Sequence, residues 1–211
     1  MQRLRYSVAH TLTGRYVSAG DTILKVFIDN NLWDYFAKHN IDLEEYFPKA
    51  DFQLCVTKHG RYEVLQMPER CEAIKNYAKR AIGSFVEEDS YFGYLDSSIP
   101  DEYQRMSGYG VGRYISSEEQ ELRKNLVERF ATQSKRKQNQ ILFKQEADIE
   151  IASRSALFPI VTFDTKKKGP IYFAYSNDYK VIYLDVGEAN SRTAREFMCS
   201  LVKQLYVYKQ T

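Results

Sequence analysis

The stretch TILKVFID, residues 22–29, decides how the rest of the chain is read. It is a short apolar run that ends in an acid, the pattern of a buried strand whose C-terminal end presents a carboxylate. PIVTFD, residues 159–164, repeats that pattern far along the chain. Between and around them strands and helices alternate. NNLWDYFAKHN follows the first run, with Leu32, Trp33 and Phe36 at helical spacing. DFQLCVT (51–57) reads as a second strand, and KHGRYEVLQM after it as a helix. Pro68 restarts a helix through ERCEAIKNYAKRAIGSF, a favourable place because the missing N–H would be unpaired there anyway. Ser116, with Glu119 three residues on, forms a capping-box pattern, and Leu122, Leu126 and Phe130 supply the buried stripe behind it. KQEADIEIASRSAL is a further helix, IYFAY and VIYLDV are strand candidates, and Ala194, Phe197, Met198, Leu201 and Leu205 mark one face of a last helix. This alternation predicts an α/β domain with a mainly parallel sheet.

The 211 residues are 44% apolar and 27% charged, enough for one domain with its own core and too apolar for a disordered chain. The expected organisation is a single domain over 1–211, with an insertion at about 87–116, where periodicity disappears, and a C-terminal extension from about 170. A net charge of +2 excludes a histone-like polycation but not a local basic strip. Cys55, Cys71 and Cys199 are an odd set without metal-ligand or disulfide spacing, which favours a reducing compartment. No apolar run approaches the ~20 residues of a membrane span, and the basic start lacks the apolar block of a secretory signal. A cytoplasmic protein without membrane association is expected.

In a parallel α/β sheet, ligands bind at the carboxyl ends of the strands. Asp29 and Asp164 stand at two such ends, Asp148 opens the helix before the second, and Glu63 lies early in the helix after DFQLCVT. Neighbouring strands would bring these four carboxylates to one rim. Packed carboxylates repel one another, so a proton or a cation must be taken up. Mg²⁺ or Mn²⁺, hard ions that prefer carboxylate oxygen and water, would satisfy that demand and suit phosphodiester hydrolysis. Glu69, Glu72, Glu146 and Glu150 are alternatives should the helices turn differently.

Four short stretches resemble, in order, the motifs of the PIN-domain nucleases. VFIDNNLWDYF is similar to the family's opening strand, mapping to Asp29 with Asn31 as helper. CVTKHGRYEVL resembles the second motif, a hydroxyl residue at a strand end and a glutamate in the next helix: Thr57 and Glu63, six positions apart. ADIEIASRSAL resembles the third and maps to Asp148; PIVTFD resembles the fourth, giving Thr162 and Asp164. The resemblance runs from about Leu24 to about Lys168. It implies a PIN-like three-layer α/β/α sandwich and a metal-dependent endoribonuclease that uses Mg²⁺ or Mn²⁺. Asp29, Glu63, Asp148 and Asp164 would hold the metal, and the cut would leave a 5′-phosphate and a 3′-hydroxyl. A toxin or defence effector, with an inhibitory protein partner or self-association, is compatible with that activity, as is an RNA-processing role. The sequence departs from compact members in the 85 positions between Glu63 and Asp148 and the 47 residues after Asp164.

Each feature also has a plainer reading. Asp29 and Asp164 could be turn aspartates, Glu63 a solvated helix glutamate, and Asp148 a first-turn acid facing the helix dipole. The runs Lys135-Arg136-Lys137 and Lys166-Lys167-Lys168 flank acidic motifs and are candidates to hold RNA phosphates, with Arg154 beside them. Of the 17 tyrosines, Tyr91, Tyr94, Tyr103, Tyr109 and Tyr114 in the insertion are candidates for base stacking. GYGVG at 108–112 follows no strand and is rejected as a nucleotide-binding loop. His59 reads as structural. Two other readings remain open: a non-catalytic PIN-like module that binds RNA or protein, and a phosphatase. The phosphatase motif wants a second aspartate where Asn31 stands.

Overall fold

The computed structural model describes residues 23–95, 97, 100, 104–131, 142–164 and 166–209. The expected basic run Lys135-Arg136-Lys137 and Tyr103 lie outside the described residues.

Five parallel strands form one sheet in the order β3-β2-β1-β4-β5. They are β1 (Leu24–Ile28), β2 (Phe52–Thr57), β3 (Glu87–Asp89), β4 (Ile160–Thr162) and β5 (Val181–Tyr183). The helices are α1 (Leu32–Lys38), α2 (Leu43–Tyr46), α3 (Lys58–Leu65), α4 (Glu72–Ser84), α5 (Ser117–Phe130), α6 (Glu146–Arg154), α7 (Pro170–Ser176), α8 (Val186–Ser191) and α9 (Ala194–Lys209). The α/β architecture with a parallel sheet is thus the one that strand–helix alternation demands.

Side-chain alternation along the strands builds the layers. Val26, Ile28, Leu54, Val56, Val161 and Ile182 face one way, into a core with Trp33 and Phe36 of α1, Ala78 of α4, and Phe197, Met198, Leu201 and Leu205 of α9. Phe27, Cys55, Ile160 and Val181 face the other way, onto Leu122 and Leu126 of α5, Ile149 and Ala152 of α6, and Ile171 and Ala174 of α7. Burial of each large apolar side chain contributes about 1.5–3 kcal/mol, so both layers are anchored. The α5 capping box forms as expected: Ser116 Oγ accepts from the Glu119 N–H while Glu119 reaches back.

Three expectations are corrected. IYFAY is not a strand: Gly169, at φ 107°, turns the chain, and Pro170 opens α7. The insertion begins later than 87, because Glu87–Asp89 is the edge strand β3, paired with β2. The segment after 170 is no appendage, since β5 pairs with β4 and α9 fills the core. No described helix is long and apolar enough to cross a membrane.

Candidate active site

The carboxyl ends of all five strands lie on one rim, and the order of the sheet reverses between β1 and β4. Crevices open at such switch points. Asp29 follows β1 there and continues the face of Phe27, the side of the sheet covered by α5, α6 and α7. Thr57, Thr162 and Tyr183 continue that same face from Cys55, Ile160 and Val181.

Hydrogen bonds fix the Asp29 carboxylate tightly. Its Oδ1 accepts from the Asn30 N–H (2.7 Å), and its Oδ2 accepts from Asn31 Nδ2 (2.6 Å) and the Thr162 hydroxyl (2.7 Å). Thr162, fully buried, joins two strand ends: its oxygen also accepts from the Asp164 N–H (2.9 Å). Asn31 stands at the N-cap of α1 yet makes no capping bond with its side chain. Its amide instead serves Asp29 and Thr162, and its Oδ1 accepts from the Phe163 N–H (2.9 Å). Asn31 and Thr162 thus both donate to the Asp29 carboxylate. Thr57 caps α3 by accepting from the Gly60 N–H (3.0 Å).

Asp29, Thr57, Glu63 and Asp148 line one narrow crevice together with Asn30, Gly60 and Ala147. Its free space is about 10 Å³, the room of a single water or small ion. Burial chiefly, and then the negative charge of Asp148 and Glu63, push the Asp29 carboxyl up to about 7 against the lowering effect of its bonds to Thr162 and Asn30. Asp148 and Glu63 therefore both act on Asp29, and no salt bridge to Asp29 is found among the described residues.

The fourth expected acid stands apart. Asp164 does not line the crevice; its Oδ1 accepts from the Lys166 N–H (3.0 Å) in a turn, and its charge acts on Tyr183. It is one hydrogen-bonded residue, Thr162, away from Asp29. Glu63 sits in the second half of α3 rather than early in it. The alternatives Glu69, Glu72, Glu146 and Glu150 do not line the crevice. Lys166, Lys167 and Lys168 are exposed on the rim beside Asp164.

Arg154 is not a substrate-binding residue. It is 1% exposed, with Nε donating to Asp89 (3.0 Å), Nη1 to Glu150 (3.0 Å), and its guanidinium 3.6 Å from the centre of the Tyr91 ring. The expectation came from its place six residues after Asp148, but that spacing turns it away from the crevice and into the interior. Among the insertion tyrosines, Tyr91 is buried and Tyr94, Tyr109 and Tyr114 are exposed. His59 is buried beside Glu146, its Nε2 3.5 Å from the carboxylate.

Comparison with protein-family models, curated proteins and solved structures gives no match.

Sequence reasoning passed over Asn30. Its Nδ2 donates to both the Gly60 carbonyl and Glu63 Oε2 (2.9 Å each), while its Oδ1 accepts from Trp33 Nε1 (3.1 Å). Asn30 thus holds the Glu63 carboxylate toward the crevice, with a buried indole fixing the amide's orientation. The signal was the second polar residue in IDNN, directly beside Asp29.

The charged groups of the crevice are carboxylates, and Thr57 and Asn30 add neutral oxygens, a set that suits Mg²⁺ or Mn²⁺. Among the described residues no group of three or more His, Cys, Asp or Glu side chains is placed to hold a metal ion. Mg²⁺ seldom needs one, because it keeps several waters and takes one or two carboxylates plus substrate phosphate. Asp29, Asp148 and Glu63 are the residues that could hold an ion in that way.

Proposed function

We propose that this protein is a PIN-like, Mg²⁺- or Mn²⁺-dependent endoribonuclease. The observation that carries the reading is Asp29, raised to about 7 by burial and by Asp148 and Glu63 at a sheet switch point. A half-buried carboxylate beside two other acids is better stabilised by a bound cation than alone in its ionised form.

A bound divalent ion would offset the carboxylates' repulsion and polarise a phosphate oxygen and the attacking water. The chain's own residues do the rest. Asn31 and Thr162 orient Asp29, so its oxygens need no reorganisation when a ligand arrives. Asn30 holds Glu63 over the crevice, where it can accept a proton from water. Exposed Lys166, Lys167 and Lys168 are placed to hold RNA phosphates beside an otherwise repulsive acidic site.

The test is cleavage of labelled single-stranded RNA with Mn²⁺ and with EDTA. Wild type cleaves only with Mn²⁺, and Asp29→Asn and Asp148→Asn lose cleavage while remaining folded. Equal cleavage by wild type and Asp29→Asn contradicts the assignment. A second reading is favoured by the lack, among the described residues, of a group of three or more such side chains placed to hold a metal ion: a non-catalytic module that binds RNA or protein on the same rim. It predicts retained binding, no cleavage and no response to Mn²⁺.

A further inference from the structure

Tyr183 ends β5 in register with Thr162, the residue that holds Asp29. Its hydroxyl is buried and has no hydrogen-bond partner among the described residues. Leaving a buried hydroxyl unpaired costs about 1–3 kcal/mol, so such a group in a native fold calls for an explanation. The negative charges that reach this phenol are those of Asp164 and Asp29, the acids of the rim.

The rings around it form a cluster that opens to solvent. Tyr175 packs edge-on against Tyr183 with centroids 4.8 Å apart, and Tyr172 lies 6.3 Å from Tyr175. Tyr175 is 49% exposed. The exposed run Lys166-Lys167-Lys168 ends two residues before Pro170 opens the helix that carries Tyr172 and Tyr175. No ion pair engages these lysines among the described residues. Aromatic faces beside unpaired cations suit unpaired nucleotides, whose bases stack while their phosphates meet the charge.

The insertion is the rival platform, with Tyr94, Tyr109 and Tyr114 exposed. Its described arginines are already engaged: Arg105 with Glu146, and Arg113 with Asp89 and Glu119. The β5 side offers aromatic rings and free cations together; the insertion offers rings alone.

We propose that Tyr172, Tyr175 and Tyr183, with Lys166 to Lys168, form a subsite that stacks an unpaired base of a single-stranded RNA beside the crevice. The entering base displaces the Tyr175 ring, which uncovers the Tyr183 hydroxyl to donate to that nucleotide. This subsite rests on the nuclease reading and makes the substrate single-stranded, because a duplex keeps its bases stacked inside.

The experiment measures binding of fluorescein-labelled octa-adenylate to the full chain by anisotropy, in EDTA so that cleavage is off. Wild type binds it more tightly than it binds a blunt RNA duplex. Tyr175→Ala weakens binding about tenfold, whereas Tyr175→Phe, which keeps the ring, stays within about twofold. Tyr183→Phe weakens binding about threefold without lowering the melting temperature, since the hydroxyl it removes has no partner among the described residues. Octa-adenylate binding that is absent from wild type, or unchanged in both Tyr175→Ala and Tyr183→Phe, overturns the subsite. So does equal loss in Tyr175→Phe and Tyr175→Ala. A wild type that fails to cleave with Mn²⁺ but keeps this binding pattern removes the hydrolase reading and supports the subsite. Metal-dependent cleavage lost in Asp29→Asn, with binding indifferent to Tyr175→Ala, removes the subsite alone.

Discussion

Two groups of half-buried or buried carboxylates lie on the same side of the sheet and behave oppositely. Toward β3, Asp89 accepts from Lys25, Arg113 and Arg154 at 2.7–3.0 Å, and Glu150 from Arg123 and Arg154. Burial alone would raise both, but Arg154 and Lys25 beside Asp89, and His59, Arg154 and Arg123 beside Glu150, hold both below their ordinary values. Glu146, at the mouth of α6, falls to about 2 because His59 and Arg105 outweigh its burial. Toward β1, burial and then the neighbouring acids Asp148 and Glu63 raise Asp29 to about 7. The fold contains enough arginine to pair its buried acids, and it pairs those that fasten the insertion to α5 and α6. Asp29, for which no salt bridge is found among the described residues, faces the crevice, which is the signature of a site rather than of a brace.

Breaking the paired side produces the largest effect. Arg154→Ala leaves Asp89 and Glu150 buried with a partner lost, at a cost of about 3–5 kcal/mol in urea unfolding. Arg154→Lys recovers only part of this, since one ammonium cannot reproduce the fork that reaches both carboxylates.

Asp29 responds in the reverse direction. Asp29 binds its proton more tightly folded than unfolded, with about 7 against an ordinary value of 3.8. As pH rises between those values the unfolded chain releases the proton first, so this residue lowers stability progressively and the loss is complete above about 7. Asp29→Asn should therefore raise the melting temperature of the metal-free protein by at least about 2 °C at pH 8, while the gain vanishes near pH 4. A drop at pH 8 would show that the crevice is a brace after all.

Lys166→Ala gives the smallest effect. Stability stays within about 0.5 kcal/mol because the side chain is exposed, while the slope of log affinity for RNA against log salt falls by about 1. An unchanged slope would place the phosphate elsewhere.

The legible part of the molecule was the part written in local chemistry. An apolar run ending in Asp29 or Asp164 was enough to place both at strand ends, and Thr57 and Glu63 fell on either side of a helix start. The face to which Asp29, Thr57 and Thr162 belong follows from strand alternation alone. The β-branched and aromatic IYFAY imitates a strand, yet the Gly169-Pro170 pair before it is a helix start, and packing of Ile171 and Ala174 against α6 and α7's neighbours settles it. Arg154 was misplaced because its partner Asp89 is 65 residues away, and no local pattern announces a pairing at that distance. Asp164 was drawn into the carboxylate group by analogy with Asp29; the chain turns between Thr162 and Lys166, and its carboxylate closes that turn instead.

The most direct measurement is the melting temperature of the metal-free full chain at pH 7.5, scanned with Mn²⁺ and again after EDTA. A cation held by Asp29 and its neighbours stabilises only the folded form, by about 2.7 kcal/mol at a hundredfold excess over Kd, or about 5–10 °C. The account predicts that shift in wild type, its reversal by EDTA, and its disappearance in Asp29→Asn. A wild type indifferent to Mn²⁺, or an Asp29→Asn variant that shifts as far as wild type, would contradict it.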